Sequence, residues 1–209
     1  MQKKEDIFFE LALQSNSLLL GDFTLKSGRR SPYFFNIGSF FNEGHIGKLA
    51  ELYAEVIQDN KIEFDVIFGP AYKGIPLAAA ISAIFSLKYS VSIPFAFDRK
   101  EEKLHGEGGS IVGELKDKRV LVIDDVLTAG TALKQSISTI NNYGGQVVGS
   151  LVALDREEVL EGVLARDKII HDSNVEVMSI ARISQLIDFF NLSNRKEEAN
   201  IIKNYLTGL

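Results

Sequence analysis

The stretch VLVIDDVLTAGTAL, Val120–Leu133, decides the fold. Four apolar residues, Val120 to Ile123, run straight into two adjacent carboxylates, Asp124 and Asp125. A small turn follows, Thr128-Ala129-Gly130-Thr131, and opens onto a helical pattern. An apolar run without polar alternation suits a strand buried on both faces, as in a parallel sheet covered by helices. In such sheets ligands bind beyond the carboxyl ends of the strands. An isolated Asp pair is most often a turn or a helix cap. Here it stands beside small side chains, hydroxyls and free amides at a helix start, which together make an anion cradle. The turn lacks the Gly-Lys-Ser/Thr of a Walker A loop, and the G-x-G-x-x-G fingerprint is absent. Carboxylates repel phosphate but accept hydrogen bonds from sugar hydroxyls and favour a nearby cation. A ligand with a phosphate at one end and a ribose beside it satisfies both halves.

Working outward, the pattern predicts alternating elements. Lys3 to Gln14 reads as a helix with Ile7, Phe8 and Leu11 on one face. Two short strands flank the turn at Gly28, and Glu43 to Asp59 is helical with Leu49, Leu52, Tyr53 and Val56 as its stripe. Phe64–Gly69 and Val91–Phe97 read as strands around an alanine-rich helix, Gly74 to Leu87. Pro94 hints at an edge or a bend. Arg119–Asp125, Gly145–Asp155 and Val175–Ile183 are further strands, and Gly130 to Tyr143 is a helix. Closing helices carry Ile201, Ile202, Tyr205 and Leu206 as a last apolar face. Strands alternating with helices imply βαβ units, an α/β class and a mostly parallel sheet flanked by helices.

Composition bounds the rest. The chain has 209 residues, 45% of them hydrophobic, enough for one domain over 1–209 with a full core. Its formal net charge of -5 gives no general attraction to nucleic acid or anionic membranes. Cysteine is absent, which removes disulfide and thiolate chemistry and fits a cytoplasmic location. The N-terminal MQKKEDIFFELALQ has no uninterrupted apolar core for a signal peptide, and no apolar run approaches membrane-spanning length.

Two more loops fall at strand ends. GPAYKG, Gly69–Gly74, places Tyr72 and Lys73 at a helix start, which suits an anion. On its own it reads more simply as an ordinary β–α turn with a solvated lysine. Arg99, Lys100, Lys103 and His105 crowd into seven residues ahead of Gly106, Gly108 and Gly109. That segment is either a solvated hairpin tip or a mobile cationic lid over an anionic ligand.

The Asp-Asp to Thr-Ala-Gly-Thr pattern resembles the 5-phosphoribosyl 1-pyrophosphate (PRPP) motif of type I phosphoribosyltransferases. FTLKSGRRSPYFFN, FGPAYKGIP, DRKEEKLHGEGG, DDVLTAGTA and LDREE together resemble the orotate phosphoribosyltransferase family, in its order. The resemblance covers essentially the whole chain and weakens after about Asp155. It implies the type I phosphoribosyltransferase fold, with a small hood from about residues 1–40 plus the C-terminal region. It implies transfer of phosphoribose from PRPP to N1 of orotate, giving orotidine 5′-monophosphate and pyrophosphate, a step of pyrimidine (UMP) biosynthesis. Mg²⁺ is the implied cofactor, held mainly by PRPP or pyrophosphate, ribose hydroxyls and water rather than by a dedicated protein cage.

The resemblance also assigns residues. Thr128, Ala129, Gly130, Thr131 and Ala132 hold the 5-phosphate, and Val126 and Leu127 also bind PRPP. Asp124 and Asp125 face the ribose. Tyr72 and Lys73 meet the pyrophosphate side, and Lys26 reaches both pyrophosphate and base. Phe34, Phe35, Thr128 and Arg156 line the orotate end, with Arg156 on its carboxylate. Arg99, Lys100, Lys103 and His105 form a lid that crosses into the partner's site, so a homodimer with shared sites is expected. Lys103, Lys26, Asp124 and Asp125 are the implied catalytic residues, with Lys103 the most rate-important in the lid. Neighbouring strand positions point to opposite faces, so at most one of Phe34 and Phe35 is expected to offer orotate its side chain. Arg156 reads equally as a plain surface arginine. Leu127 and Arg30 are small departures that remove no required polar group. The chain stops at Leu209 without a decarboxylase domain, so the fused enzyme is not expected. Two other readings stay open: a PRPP-sensing regulator without catalysis, and a phosphoribosyltransferase for another base.

Overall fold

The computed structural model describes residues 2–25, 28–103 and 109–208, with the backbone alone at 100–103 and 109. In chain order the elements are α1 (Lys4–Gln14), β1 (Leu18–Thr24), β2 (Arg30–Phe35), α2 (Gly38–Asn42), α3 (Ile46–Asp59), β3 (Val66–Phe68), α4 (Gly74–Tyr89), β4 (Phe95–Lys103) and β5 (Gly109–Val112). They continue with β6 (Arg119–Leu127), α5 (Thr131–Asn142), β7 (Gln146–Asp155), β8 (Val159–Leu160), β9 (Val163–Leu164), α6 (Ala165–Ser173), β10 (Val177–Arg182), α7 (Gln185–Leu192) and α8 (Lys196–Thr207).

Six strands form one sheet in the order β10-β7-β6-β3-β4-β5. Every neighbouring pair is parallel except β4 with β5. The apolar run of β6 explains its central place. Leu121 and Ile123 enter the core on the side of α1, α3 and α4, while Val120 and Val122 enter a second core with Leu133 and Ile140 of α5. Both faces are therefore covered, as the unbroken apolar run predicts.

β1 and β2 pair antiparallel as a separate hairpin. Its inner face joins an aromatic cluster in which Phe8 meets Phe9, Phe35 and Phe40 at ring-centroid distances of 5.6, 6.0 and 6.1 Å. From α8, Tyr205 packs edge-on against Tyr33 at 5.9 Å. The N-terminal hairpin and the C-terminal helix thus pack against each other.

Several expectations are corrected. The helix expected over Glu43–Asp59 begins only at Ile46, because Gly44 at φ 71° breaks the chain ahead of it, and the short α2 before that break was not expected. β3 is three residues long rather than six. The strand expected at Val91–Phe97 begins only at Phe95 and runs on to Lys103 in a hairpin with β5. Pro94 has no N–H to give, so it marks the bend before β4, which lies inside the sheet rather than at its edge. β6 continues past Asp125 because Val126 and Leu127 still pair with Leu154 and Asp155. The β8–β9 hairpin and α6 were not expected. In α8, Ile202 is buried but Ile201 is 52% exposed, so the last apolar face is narrower than its spacing suggested.

Candidate active site

The site is built where the carboxyl ends of β3, β6 and β7 meet the β1–β2 hairpin. Its floor is the β6–α5 connection. Asp125 is buried, and its Oδ2 accepts Lys73 Nζ at 2.9 Å, joining the GPAYKG loop to β6. Asp124 is half-buried, and its Oδ1 accepts the Asp125 N–H at 2.8 Å. Burial, and then the adjacent Asp125 charge, push the Asp124 carboxyl up to about 7. From α3, the buried Tyr53 hydroxyl donates to the Asp124 carbonyl oxygen at 2.7 Å and braces the strand at that residue. Burial raises that phenol well above its usual range, so it stays a donor.

The turn that follows is shaped by Gly130, at φ 75°, which caps α5. A Cβ there would lie 2.2 Å from Ile169 Cδ1, so both conformation and space call for glycine. Ala129, Thr131 and Ala132 are exposed and Thr128 is half-buried, so the N-terminus of α5 faces outward as an anion cradle requires. Leu127 packs in the core with Leu133, so only its backbone can serve a ligand; Val126 is half-buried against the other core.

The GPAYKG loop is held tightly. A Cβ on Gly69 would meet Gly74 O at 2.3 Å, so the loop closes on itself only without one. Ala71 N–H donates to Asp98 Oδ1 at 2.6 Å, which ties the loop to β4 just ahead of Arg99. Tyr72 is 65% exposed and Lys73 is exposed at the same mouth. Arg99 is half-buried in β4. Lys100 and Lys103 follow it on that strand, their side chains outside the described residues; Lys26 and His105 lie wholly outside them.

The fourth wall comes from β7 and the hairpin. Asp155 Oδ1 accepts Glu157 N–H at 2.8 Å, setting the turn that carries Arg156. Arg156 N–H donates to Leu127 O at 3.1 Å, which places it beside the β6–α5 turn. Arg156 is not the plain surface arginine that its sequence position also allowed: it is 8% exposed, and its Nε donates to Tyr33 Oη at 3.1 Å. Burial holds the Tyr33 phenol well above its usual range, so it remains neutral. Arg156 Nη2 is buried with no hydrogen-bond partner among the described residues. The strand alternation holds for the two phenylalanines: Phe34 is 40% exposed, whereas Phe35 is buried against Phe8. Phe34 alone can present its ring outward, where it meets Phe23 at 5.6 Å.

Tyr53, Asp98, Tyr33, Glu158 and Arg29 were missed as site supports. The signal for Tyr33 was present, since an inward-facing tyrosine needs a partner for its hydroxyl. No pattern in the sequence pairs Tyr53 with a strand seventy-one positions away.

Residues 42–181 match the family model described as phosphoribosyl transferase domain. The chain is 43% identical over 183 residues to the orotate phosphoribosyltransferase of Colwellia psychrerythraea, covering 87% of this chain and 83% of that one. It belongs to the orotate phosphoribosyltransferase family. The same name attaches to an Aliivibrio fischeri protein 42% identical over 200 residues, covering 95% of this chain and 94% of that one. A crystal structure of orotate phosphoribosyltransferase from Francisella tularensis superposes with a TM-score of 0.86 at 38% identity, covering 97% of this chain and 98% of that one. The type I phosphoribosyltransferase fold expected from the sequence is therefore the fold of the family to which the chain belongs.

The donor set also bears on the metal. Among the described residues no group of three or more His, Cys, Asp or Glu could hold an ion unaided. Asp124 and Asp125 do supply two adjacent carboxylates, one pushed toward neutrality by burial and then by the other's charge, and a cation beside them would relieve that repulsion. This arrangement fits an ion brought in by a phosphorylated ligand.

Proposed function

We propose that the chain transfers 5-phosphoribose from PRPP to N1 of orotate, giving orotidine 5′-monophosphate and pyrophosphate in pyrimidine biosynthesis. The observation that carries the base assignment is the buried Arg156 guanidinium, with Nη2 unpartnered, beside the β6–α5 turn. A buried donor without an acceptor is costly, and a flat base bearing a carboxylate supplies that acceptor.

In this reading Thr128 to Ala132 cradle the 5-phosphate at the N-terminus of α5. Asp124 and Asp125 accept hydrogen bonds from the ribose hydroxyls and stabilise positive charge growing at the anomeric carbon. Lys73, which now rests on Asp125 at 2.9 Å, turns to the pyrophosphate when ligand enters. Tyr72 and Lys26 act on the same side, Lys26 also reaching the base. The C1–O bond breaks with its electron pair leaving on pyrophosphate, and N1 of orotate, giving up its proton, forms the new C–N bond. No side chain need form a covalent intermediate. Mg²⁺, when bound, would be held mainly by the substrate with Asp124 and Asp125 as the nearby carboxylates, and would offset the negative charge that builds on the leaving pyrophosphate. The β4–β5 hairpin brings Arg99, Lys100, Lys103 and His105 over the leaving group and excludes water.

The reading includes a homodimer in which each hairpin serves the neighbouring site. Val91 and Phe95, exposed by 45% and 36% where the chain enters that hairpin, support an interface there. Residues 1–209 act as one catalytic unit, with the β1–β2 hairpin and C-terminal helices as its hood. A cytoplasmic location goes with the reading, and no helix among the described residues is long and apolar enough to cross a membrane.

The test is a comparison of bases. With PRPP and Mg²⁺ present, orotate should be consumed in preference to uracil, adenine and guanine, with one pyrophosphate released per orotate. Preferred turnover of another base would overturn the substrate assignment.

A further inference from the structure

We propose that Tyr33, Glu158 and Arg29 are positioning residues that aim the Arg156 guanidinium at the carboxylate of the base; the inference rests on the function proposed above. Tyr33 is fully buried, so its hydroxyl must be satisfied inside the protein. It accepts Arg156 Nε at 3.1 Å, and its ring lies 4.9 Å from the guanidinium carbon. The phenol therefore holds Arg156 both by a hydrogen bond and by cation–π attraction. Tyr205 of α8, edge-on to Tyr33, fixes the ring in turn.

Glu158 completes the clamp. Its Oε1 lies 3.4 Å from Arg156 Nε and 3.0 Å from Arg29 Nη2. One carboxylate thus stands between two guanidiniums, leaving the cluster one net positive charge. That charge matches the single carboxylate of a pyrimidine carboxylic acid. Arg29 also closes the β1–β2 turn, its carbonyl accepting Leu25 N–H at 2.9 Å. The clamp thereby fastens the turn that carries Lys26 to the arm that carries Arg156. All the holding contacts fall on Nε, and Nη2 is left buried and unpartnered. A planar guanidinium pinned at Nε holds its Nη2 in a fixed direction. Arg29 Nε is likewise buried without a partner among the described residues.

The test is steady-state kinetics on Tyr33→Phe and Glu158→Gln, each alone and each combined with Arg156→Ala, with unfolding midpoints measured alongside. Tyr33→Phe should raise the orotate KM about five- to tenfold, as expected for loss of a hydrogen bond to a charged group. The PRPP KM and kcat should stay within about twofold. In the Arg156→Ala background the same change should move the orotate KM little, because its effect passes through that guanidinium. An unmoved orotate KM, an equal change in all three parameters, or full additivity with Arg156→Ala would overturn the inference. If Tyr33→Phe fails to fold, Glu158→Gln carries the same outcomes, since the amide keeps the shape and loses the charge. A wild-type protein that does not turn over orotate would sink the proposed function itself. An active wild type with unmoved variants would sink only the positioning roles.

Discussion

Replacing Asp124 by Asn should make the ligand-free protein more stable at alkaline pH while removing its activity. Asp124 sits half-buried beside Asp125, and burial followed by that neighbouring charge raises it to about 7. In the unfolded chain an aspartate titrates near 3.9. Between those values the folded state holds a proton that the unfolded state has lost, so stability falls as pH rises through the window. The contribution is fully present below about pH 4 and gone above about pH 7. Three units at about 1.36 kcal/mol each set a ceiling near 4 kcal/mol for this one group. Relaxation around the charge reduces it, and about 2–3 kcal/mol is expected in practice. Asn is uncharged throughout, and its side-chain oxygen can still accept the Asp125 N–H. Urea unfolding of both proteins at fixed chain concentration, from pH 4 to pH 8, gives the difference directly. Asn should be close to wild type at pH 4 and ahead by about 2–3 kcal/mol at pH 8. A difference independent of pH, or an Asn protein weaker at pH 8, would refute the placement of Asp124 as a half-buried carboxylate repelled by Asp125.

Other substitutions probe separate parts of the account. Lys103→Ala should lower turnover by at least about 100-fold, as for loss of a transition-state charge contact; an unfolding midpoint that falls in step with activity would instead make the hairpin a structural loop. Mixing Lys103→Ala chains with Asp125→Asn chains should restore activity through hybrid dimers, and no recovery despite confirmed subunit exchange would argue against shared sites. Gly69→Ala should cost about 1–3 kcal/mol and raise the PRPP KM, because its Cβ would meet the Gly74 carbonyl oxygen at 2.3 Å. Phe8→Ala should cost about 3–5 kcal/mol in thermal or urea unfolding, since its buried ring touches three others, yet leave the PRPP KM within about twofold.

The central sheet was legible because β6 and β7 carry the apolar runs Val120–Ile123 and Leu151–Leu154, whose two faces fill two cores. The PRPP-type loop was legible because its parts are contiguous: strand, carboxylates, small turn and helix start within fourteen residues. Where the sequence misled, a local signal was outweighed by pairing. β4 runs on past Phe97 because β5 offers it a partner, and Val126–Leu127 stay in β6 because β7 continues beside them. The supports of the site were hidden for a different reason. Tyr53 and Tyr33 act across long separations, where no periodicity links them to Asp124 or Arg156, and Glu158, two residues after Arg156, ties it to the distant Arg29. Arg156 shows the limit most clearly, since only the fold reveals that the arginine after LVALD is buried, held at Nε and unpartnered at Nη2.

The most direct test of the account is the absorbance of orotate in the presence of the purified protein, PRPP and Mg²⁺. The account predicts a steady loss of orotate absorbance that stops when PRPP is omitted, with orotidine 5′-monophosphate accumulating in step. Constant absorbance from folded protein that still binds PRPP would contradict it and point to a sensor of PRPP instead.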